Sequence, residues 1–206
     1  MTRALHCLSR RRVLRDIRSI RSRDFTVISS NCLGSVIYQT LGMPYLTPTV
    51  GLFFYAPCFI KFIADLPHYI STRLESCHHS KYPRAWSGSE SRQYPIGSLE
   101  GVELHFLHYR SFSEAREKWE RRCERVLWDR LCFVFTDRDL CTVAEIRNFV
   151  SLPSRRKVCF TSRHMPELRC LCTVPGSRGK PHVDELTLNI HLLDGVFCFR
   201  EFIDGP

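Results

Sequence analysis

The 206-residue chain has no apolar run near the roughly 20 residues that a membrane-spanning helix requires. Its start, MTRALHCLSRRRVLRD, puts charges where a secretory signal needs its apolar segment, so export is not expected. A Gly-rich phosphate loop, a dinucleotide-binding fingerprint and a Gly-x-Ser-x-Gly elbow are all missing, and with them the usual signatures of nucleotide hydrolysis, nicotinamide chemistry and serine hydrolysis. Cys77-His78-His79 and Cys170-Leu171-Cys172 lack the paired spacing of zinc sites, so no metal centre is assigned. Acidic residues are the scarcer charge, 21 against 30 lysines and arginines, for a formal net charge of +9.

Hydrophobic content of 44% and aromatic content of 12% are enough for a full core, and the length suits a single domain. Cysteine is plentiful at 11, an odd number, and Cys132, Cys159 and Cys198 sit inside apolar patterns where a free thiol packs as a small hydrophobe. A reducing, cytoplasmic setting is expected. The excess positive charge is concentrated in residues 1–24, where eight arginines face Asp16 and Asp24. These residues read as a basic extension preceding one domain over 25–206. The extension is either a solvated leading helix or a contact with an anionic surface, such as the inner face of a membrane.

Past that segment, apolar runs alternate with helical spacing. DFTVISS, PTVGLFFYAP, VELHFLHY, LCFVFT, RKVCFTS and LRCLCTVP read as strands, and GVFCFREF as a strand closing the sheet. Between them, Leu33, Val36, Ile37 and Leu41 recur at helical spacing up to Gly42, and a second helix follows Pro57. Ser111 and Glu114 have capping-box spacing before a stripe of Ala115, Trp119, Arg122 and Val126, and Thr142 is a plausible N-cap for TVAEIRNFV. Residues 71–93 read as a long surface loop. Strands alternating with helices predict an α/β fold, a three-layer α/β/α sandwich on a mostly parallel sheet of Rossmann-like type.

In such a fold the carboxyl ends of the strands open onto a shared crevice. That edge would gather Asn31 and Cys32, then His108 and Tyr109, then Asp137, Arg138 and Asp139, then Thr161 and Ser162. Cys32, at a helix start, is a candidate nucleophile for acyl transfer or hydrolysis, or else packs beneath an Asn31 cap. His105 and His108 point to opposite faces of a strand, which argues against a shared metal. Glu103 and His105 share a face and form a candidate acid-base pair. Asp137 and Asp139 could hold a divalent cation on the diphosphate of a nucleotide sugar, with Arg138 beside them, or could cap a turn. The helix from Ser113 interleaves both charge signs, so specific nucleic-acid binding is not expected.

FTVISSNCLGSVIYQTLGMPYLTPTVGLFF, YPIGSLEGVELHFLHYRSFSEAREKWERR, FVFTDRD and KVCFT together resemble a family of bacterial proteins labelled exopolysaccharide or surface-polysaccharide biosynthesis proteins, over about Arg21 to Thr161. The resemblance implies a mixed α/β fold and a place in cell-surface glycan assembly. It marks as motif positions Asn31, Cys32, Gly34, Tyr38, Tyr94, His105, His108, Tyr109, Trp119, Arg122, Asp137 and Asp139, among others. Leu33-Gly34-Ser35 departs from the aromatic and two glycines usual there. The expected function is transfer from an activated sugar or onto a glycan intermediate. Cys32, His105, His108 and Asp137 are then the catalytic candidates, and Asn31, Tyr38, Tyr109, Arg122, Arg138 and Asp139 contact substrate. Thiol-based acyl transfer and a non-catalytic assembly module are the alternatives.

Overall fold

The computed structural model describes residues 2–82 and 94–205. In chain order the elements are α1 (Thr2–Arg18), β1 (Thr26–Ser29), α2 (Leu33–Leu41), α3 (Ala56–Ala64), α4 (Leu66–Ser71), β2 (Glu75–Ser76), β3 (Ile96–Leu99) and β4 (Val102–His105). The chain continues through α5 (Phe112–Cys123), β5 (Leu131–Thr136), α6 (Val143–Ser151), β6 (Lys157–Thr161), β7 (Leu171–Thr173) and α7 (Phe199–Asp204).

β1, β5, β6 and β7 form one sheet in that order, parallel throughout. Side-chain alternation sends Val27, Cys132, Val134, Val158 and Phe160 to a face packed by α1, α2 and α7. Ile28, Phe133, Phe135 and Cys159 go to the opposite face, under α3, α6 and Trp119 of α5. Both faces are covered, which is why LCFVFT reads as an unbroken apolar run. The result is the three-layer α/β sandwich of Rossmann-like type.

Two runs expected in this sheet lie elsewhere. VELH pairs antiparallel with β3, and β2 completes a separate three-stranded sheet. Glu100 and Gly101 both have positive φ, 48° and 82°, which makes the tight primed turn joining β3 to β4. PTVGLFFYAP forms only an isolated bridge between Phe53 and His105, since Gly51 at φ 68° interrupts the extended run. GVFCFREF yields helix α7 rather than a strand, because Phe199, Phe202 and Ile203 sit at i, i+3 and i+4. The surface loop expected over 71–93 contains the short strand β2, and its residues 83–93 lie outside the described residues.

The basic segment at the start is part of the domain rather than an appendage. Val13, Ile17 and Ile20 are buried in the same cluster as β1, α2 and α7. Asp16 accepts hydrogen bonds from Phe199 N at 2.6 Å and Cys198 Sγ at 3.3 Å, which ties α1 to the start of α7. Among the described residues no helix is long and apolar enough to cross a membrane.

β1 lies at the edge of the sheet, and side chains close that edge. Tyr38 Oη accepts from Val27 N at 3.0 Å and donates to Phe25 O at 2.9 Å, while Thr49 Oγ1 accepts from Ser29 N at 3.1 Å. An open edge invites pairing with another chain, and these bonds remove it. Tyr38 is fully buried, so its expected contact with substrate is replaced by this structural role. Tyr38→Phe leaves a buried N–H and a carbonyl unpaired, and is expected to cost about 1–3 kcal/mol in urea unfolding. A change within experimental error would show that the phenol is dispensable. Gly34 fits the same region closely, because a Cβ there would sit 2.9 Å from Ser29 Cβ.

Candidate functional site

The carboxyl edge of the sheet does converge. Asn31 Nδ2 donates to Thr136 Oγ1 at 3.1 Å, joining the ends of β1 and β5, and Asn31 Oδ1, one residue before the N-cap, accepts from Leu33 N, the first N–H of α2, at 3.1 Å. One residue on, Asp137 is 2% exposed and accepts four hydrogen bonds. Thr161 Oγ1, Ser162 N and Ser162 Oγ reach Oδ2 at 2.8, 2.8 and 3.0 Å, and Val183 N reaches Oδ1 at 2.8 Å. Arg138 continues the clamp with Nη1 donating to Val183 O at 3.1 Å and Nε 3.7 Å from Glu185. The chain's own Val183 segment therefore occupies the edge that the sequence suggested as an open crevice.

This arrangement changes the part expected of Asp137. Its oxygens are engaged with protein donors, and among the described residues no three His, Cys, Asp or Glu side chains converge as a metal site. Asp139 sits apart with φ 55°, its carbonyl accepting from Ala56 N at 2.8 Å. Burial, opposed by Arg138, pushes its carboxyl up to about 6.

Cys32 occupies the N-cap position of α2, with its thiol 3.7 Å from Leu52 O. Burial, reinforced by Glu185, raises it to about 11, the opposite of the depression a thiolate nucleophile needs. The helix terminus does not overcome desolvation here.

His105 ends β4 fully buried, stacked on Phe53 at 4.7 Å and met edge-on by Tyr55 at 5.0 Å and Tyr94 at 5.8 Å. Its Nε2 lies 3.4 Å from Glu103 Oε2 but outside hydrogen-bond geometry, and neither ring nitrogen has a hydrogen-bond partner among the described residues. Glu103 spends its oxygens on Ser80 Oγ at 2.6 Å and Lys81 N at 2.7 Å. The acid-base pair expected from the sequence is adjacent in space but shut off from solvent. Desolvation holds the imidazole down to about 4, so it is neutral in the fold.

A pH effect follows from that shift. Below about pH 6.5 the unfolded chain takes up a proton that the folded chain refuses, so the His105 contribution to stability falls as pH drops toward 4. Asp139, raised rather than lowered, works with opposite sign in an overlapping window, so the effect is read against a variant. From pH 7 to pH 5, His105→Gln is expected to gain about 2 kcal/mol relative to the parent chain in denaturant titrations. Parallel pH profiles for the two chains would contradict it.

A cleft of about 550 Å³ opens beside the sheet edge, between α1, α2 and α5. α2 and its N-cap contribute Ser35, Gln39 and Cys32, α5 contributes Lys118 and Arg122, and α1 contributes Arg10. His108 and Tyr109 reach the same wall from the turn after β4, while His105, at the end of that strand, does not line it.

Arg122 dominates the electrostatics. It is 8% exposed, donates from Nη1 to Tyr109 Oη at 2.6 Å and lies 5.0 Å from the centre of the Tyr45 ring. Among the described residues it has no carboxylate partner. Tyr109 passes the contact on, donating to Val50 O at 2.6 Å. Gly51 makes this packing possible, since at φ 68° a Cβ would also come within 3.0 Å of Tyr109 Cε2. Lys118 pairs with Glu114 at 2.6 Å and lies 5.6 Å from the Tyr109 ring. Ser35 Oγ, on the opposite wall, is buried without a hydrogen-bond partner. The cleft thus offers buried positive charge, a short run of phenols and an unengaged hydroxyl, and among the described residues no acidic side chain lines it.

The sequence pattern pointed to Tyr109, Cys32 and His108, all of which line this cleft. The family resemblance also placed Arg122 among the substrate contacts, while the charge pattern of its helix read as salt-bridged. The signal lay in the stripe Ala115, Trp119, Arg122, which places an arginine on the buried side of α5. Ser35 and Lys118 carried no separate signal.

Fold and cleft together define a parallel-sheet α/β protein with a basic side pocket. The chain belongs to the family described as a domain of unknown function (DUF1919), which it matches over residues 6–198. It is similar to an uncharacterized protein of Haemophilus influenzae, with 31% identity over 169 residues that span 82% of this chain and 77% of the relative. The family match includes most of α1 and the C-terminal part as far as Cys198.

Proposed function

We propose that the cleft binds the diphosphate of an activated sugar, or the phosphate of a glycan intermediate, and that the protein is a transferase in cell-surface polysaccharide synthesis. The carrying observation is Arg122, a guanidinium 8% exposed that no carboxylate neutralises among the described residues. A buried charge without a counter-ion is costly, and a phosphate in the cleft would supply one through the paired N–H geometry arginine offers. Arg10 and Lys118 add charge along the same wall. Tyr45 and Tyr109 give flat surfaces suited to a sugar or base, and exposed His108 is placed to exchange a proton with an acceptor hydroxyl. The polysaccharide setting rests on the resemblance in FTVISSNC and the segments after it.

In this reading charge neutralisation falls to the cleft arginines and lysine, while Asp137 holds the fold. The raised thiol of Cys32 gives acyl transfer no support. The test is a thermal-shift panel of nucleoside diphosphate sugars, each with and without magnesium. At least one sugar nucleotide is expected to raise the midpoint in a saturable way. A flat response across the panel would contradict the proposal.

A further inference from the structure

Helix α1 buries Val13 and Ile17 and leaves its other side to solvent. On that side Leu5 and Leu8 are 58% and 48% exposed, and Arg11, Arg15 and Arg18 lie among them at spacings of three, four and seven residues. Arg12 is engaged with Asp194 at 3.2 Å, but Arg11, Arg15 and Arg18 have no ion pair among the described residues. Asp16, the single acid of α1, is bound to the start of α7. Leu188, 75% exposed, is the most exposed of the large apolar side chains among the described residues and lines the cleft together with Arg10 and Leu14 of α1.

Exposed leucines among unpaired arginines are costly in water and suit a boundary where apolar and anionic layers meet. A nucleic-acid backbone would use the arginines and leave the leucines unexplained, whereas a bilayer surface uses both. We infer that the outer side of α1, with Leu188, is a docking surface for an anionic lipid bilayer, which sets the mouth of the cleft beside the headgroups. Leu188 borders the cleft, so this surface adjoins the anion-binding wall around Arg122, while Leu5, Leu8, Arg11, Arg15 and Arg18 lie outside that lining.

Vesicle co-sedimentation of the full chain tests it, with phosphatidylcholine vesicles and with vesicles of phosphatidylcholine and phosphatidylglycerol in equal parts. Binding to the anionic vesicles is expected to be at least about tenfold stronger, since each arginine near such a surface contributes roughly a fivefold gain. Arg11→Glu/Arg15→Glu/Arg18→Glu should abolish the preference. Leu5→Ser/Leu8→Ser/Leu188→Ser, with unchanged charge, should weaken binding by about tenfold. All six positions are exposed, so thermal midpoints should match the parent chain and exclude misfolding. Equal binding to both vesicle types, undiminished binding of the leucine variant, or displacement from anionic vesicles by a low concentration of single-stranded oligonucleotide would each overturn the inference. Arg122→Met is expected to keep vesicle binding intact, so failure of this surface and failure of the cleft reading are told apart.

Discussion

Asp137→Ala should lower stability by about 3–5 kcal/mol, seen as a fall in thermal midpoint of roughly 10 °C for a domain of this size. Four donors converge on this carboxylate from two parts of the chain, Thr161 with Ser162 and Val183. Removing it strands the buried N–H groups of Ser162 and Val183 and two hydroxyls. It also releases the segment that covers the carboxyl edge of the sheet. Asp137→Asn keeps one oxygen but presents an amide N–H₂ to a donor, so an intermediate loss is expected. Were Asp137 instead a catalytic group facing substrate, alanine would leave stability nearly unchanged and abolish turnover. Equilibrium denaturation separates the two readings directly.

Arg122→Met should behave in the opposite way. Methionine fills much of the same volume without charge, so the free protein is expected to lose no more than about 1 kcal/mol and to gain if desolvation of the guanidinium dominates. Affinity for a diphosphate should fall by about 100-fold, because a buried charge-assisted contact is lost. Tyr109 still donates to Val50 O in the variant, so the cleft wall keeps its shape. The telling pattern is stability held while binding is lost. A variant that loses stability by several kcal/mol would place Arg122 among the structural residues.

Much of the fold could be read from local pattern. LCFVFT and KVCFT are buried on both faces and therefore show as continuous apolar runs, and the caps at Ser111 and Thr142 are formed as their spacing implies. The pattern could not say which sheet a strand joins. VELH has the same alternation whether it pairs parallel or in a hairpin, and the deciding feature is the positive φ at Glu100-Gly101. GVFCFREF was ambiguous because Phe199, Phe202 and Ile203 satisfy a helix while Phe197 and Phe199 satisfy a strand.

The site was legible in part. Residues following the strands do meet, as the bond between Asn31 and Thr136 shows, yet the edge is filled by Val183, whose sequence neighbourhood carries no sign of that role. Polar residues at strand ends announce convergence without revealing whether they bind each other or a ligand. Arg122 was named as a substrate contact only through the resemblance, because its local pattern points elsewhere: its neighbours in sequence, Glu117, Glu120 and Glu124, suggest pairing, but they lie on other sides of α5.

Calorimetric titration of inorganic pyrophosphate into the parent chain and into Arg122→Met reaches the central claim most directly. One-site binding that weakens with added salt, and that drops by at least about tenfold in the variant, is the predicted result. Absence of binding to the parent chain, or equal affinity in both, would contradict an anion site in the cleft.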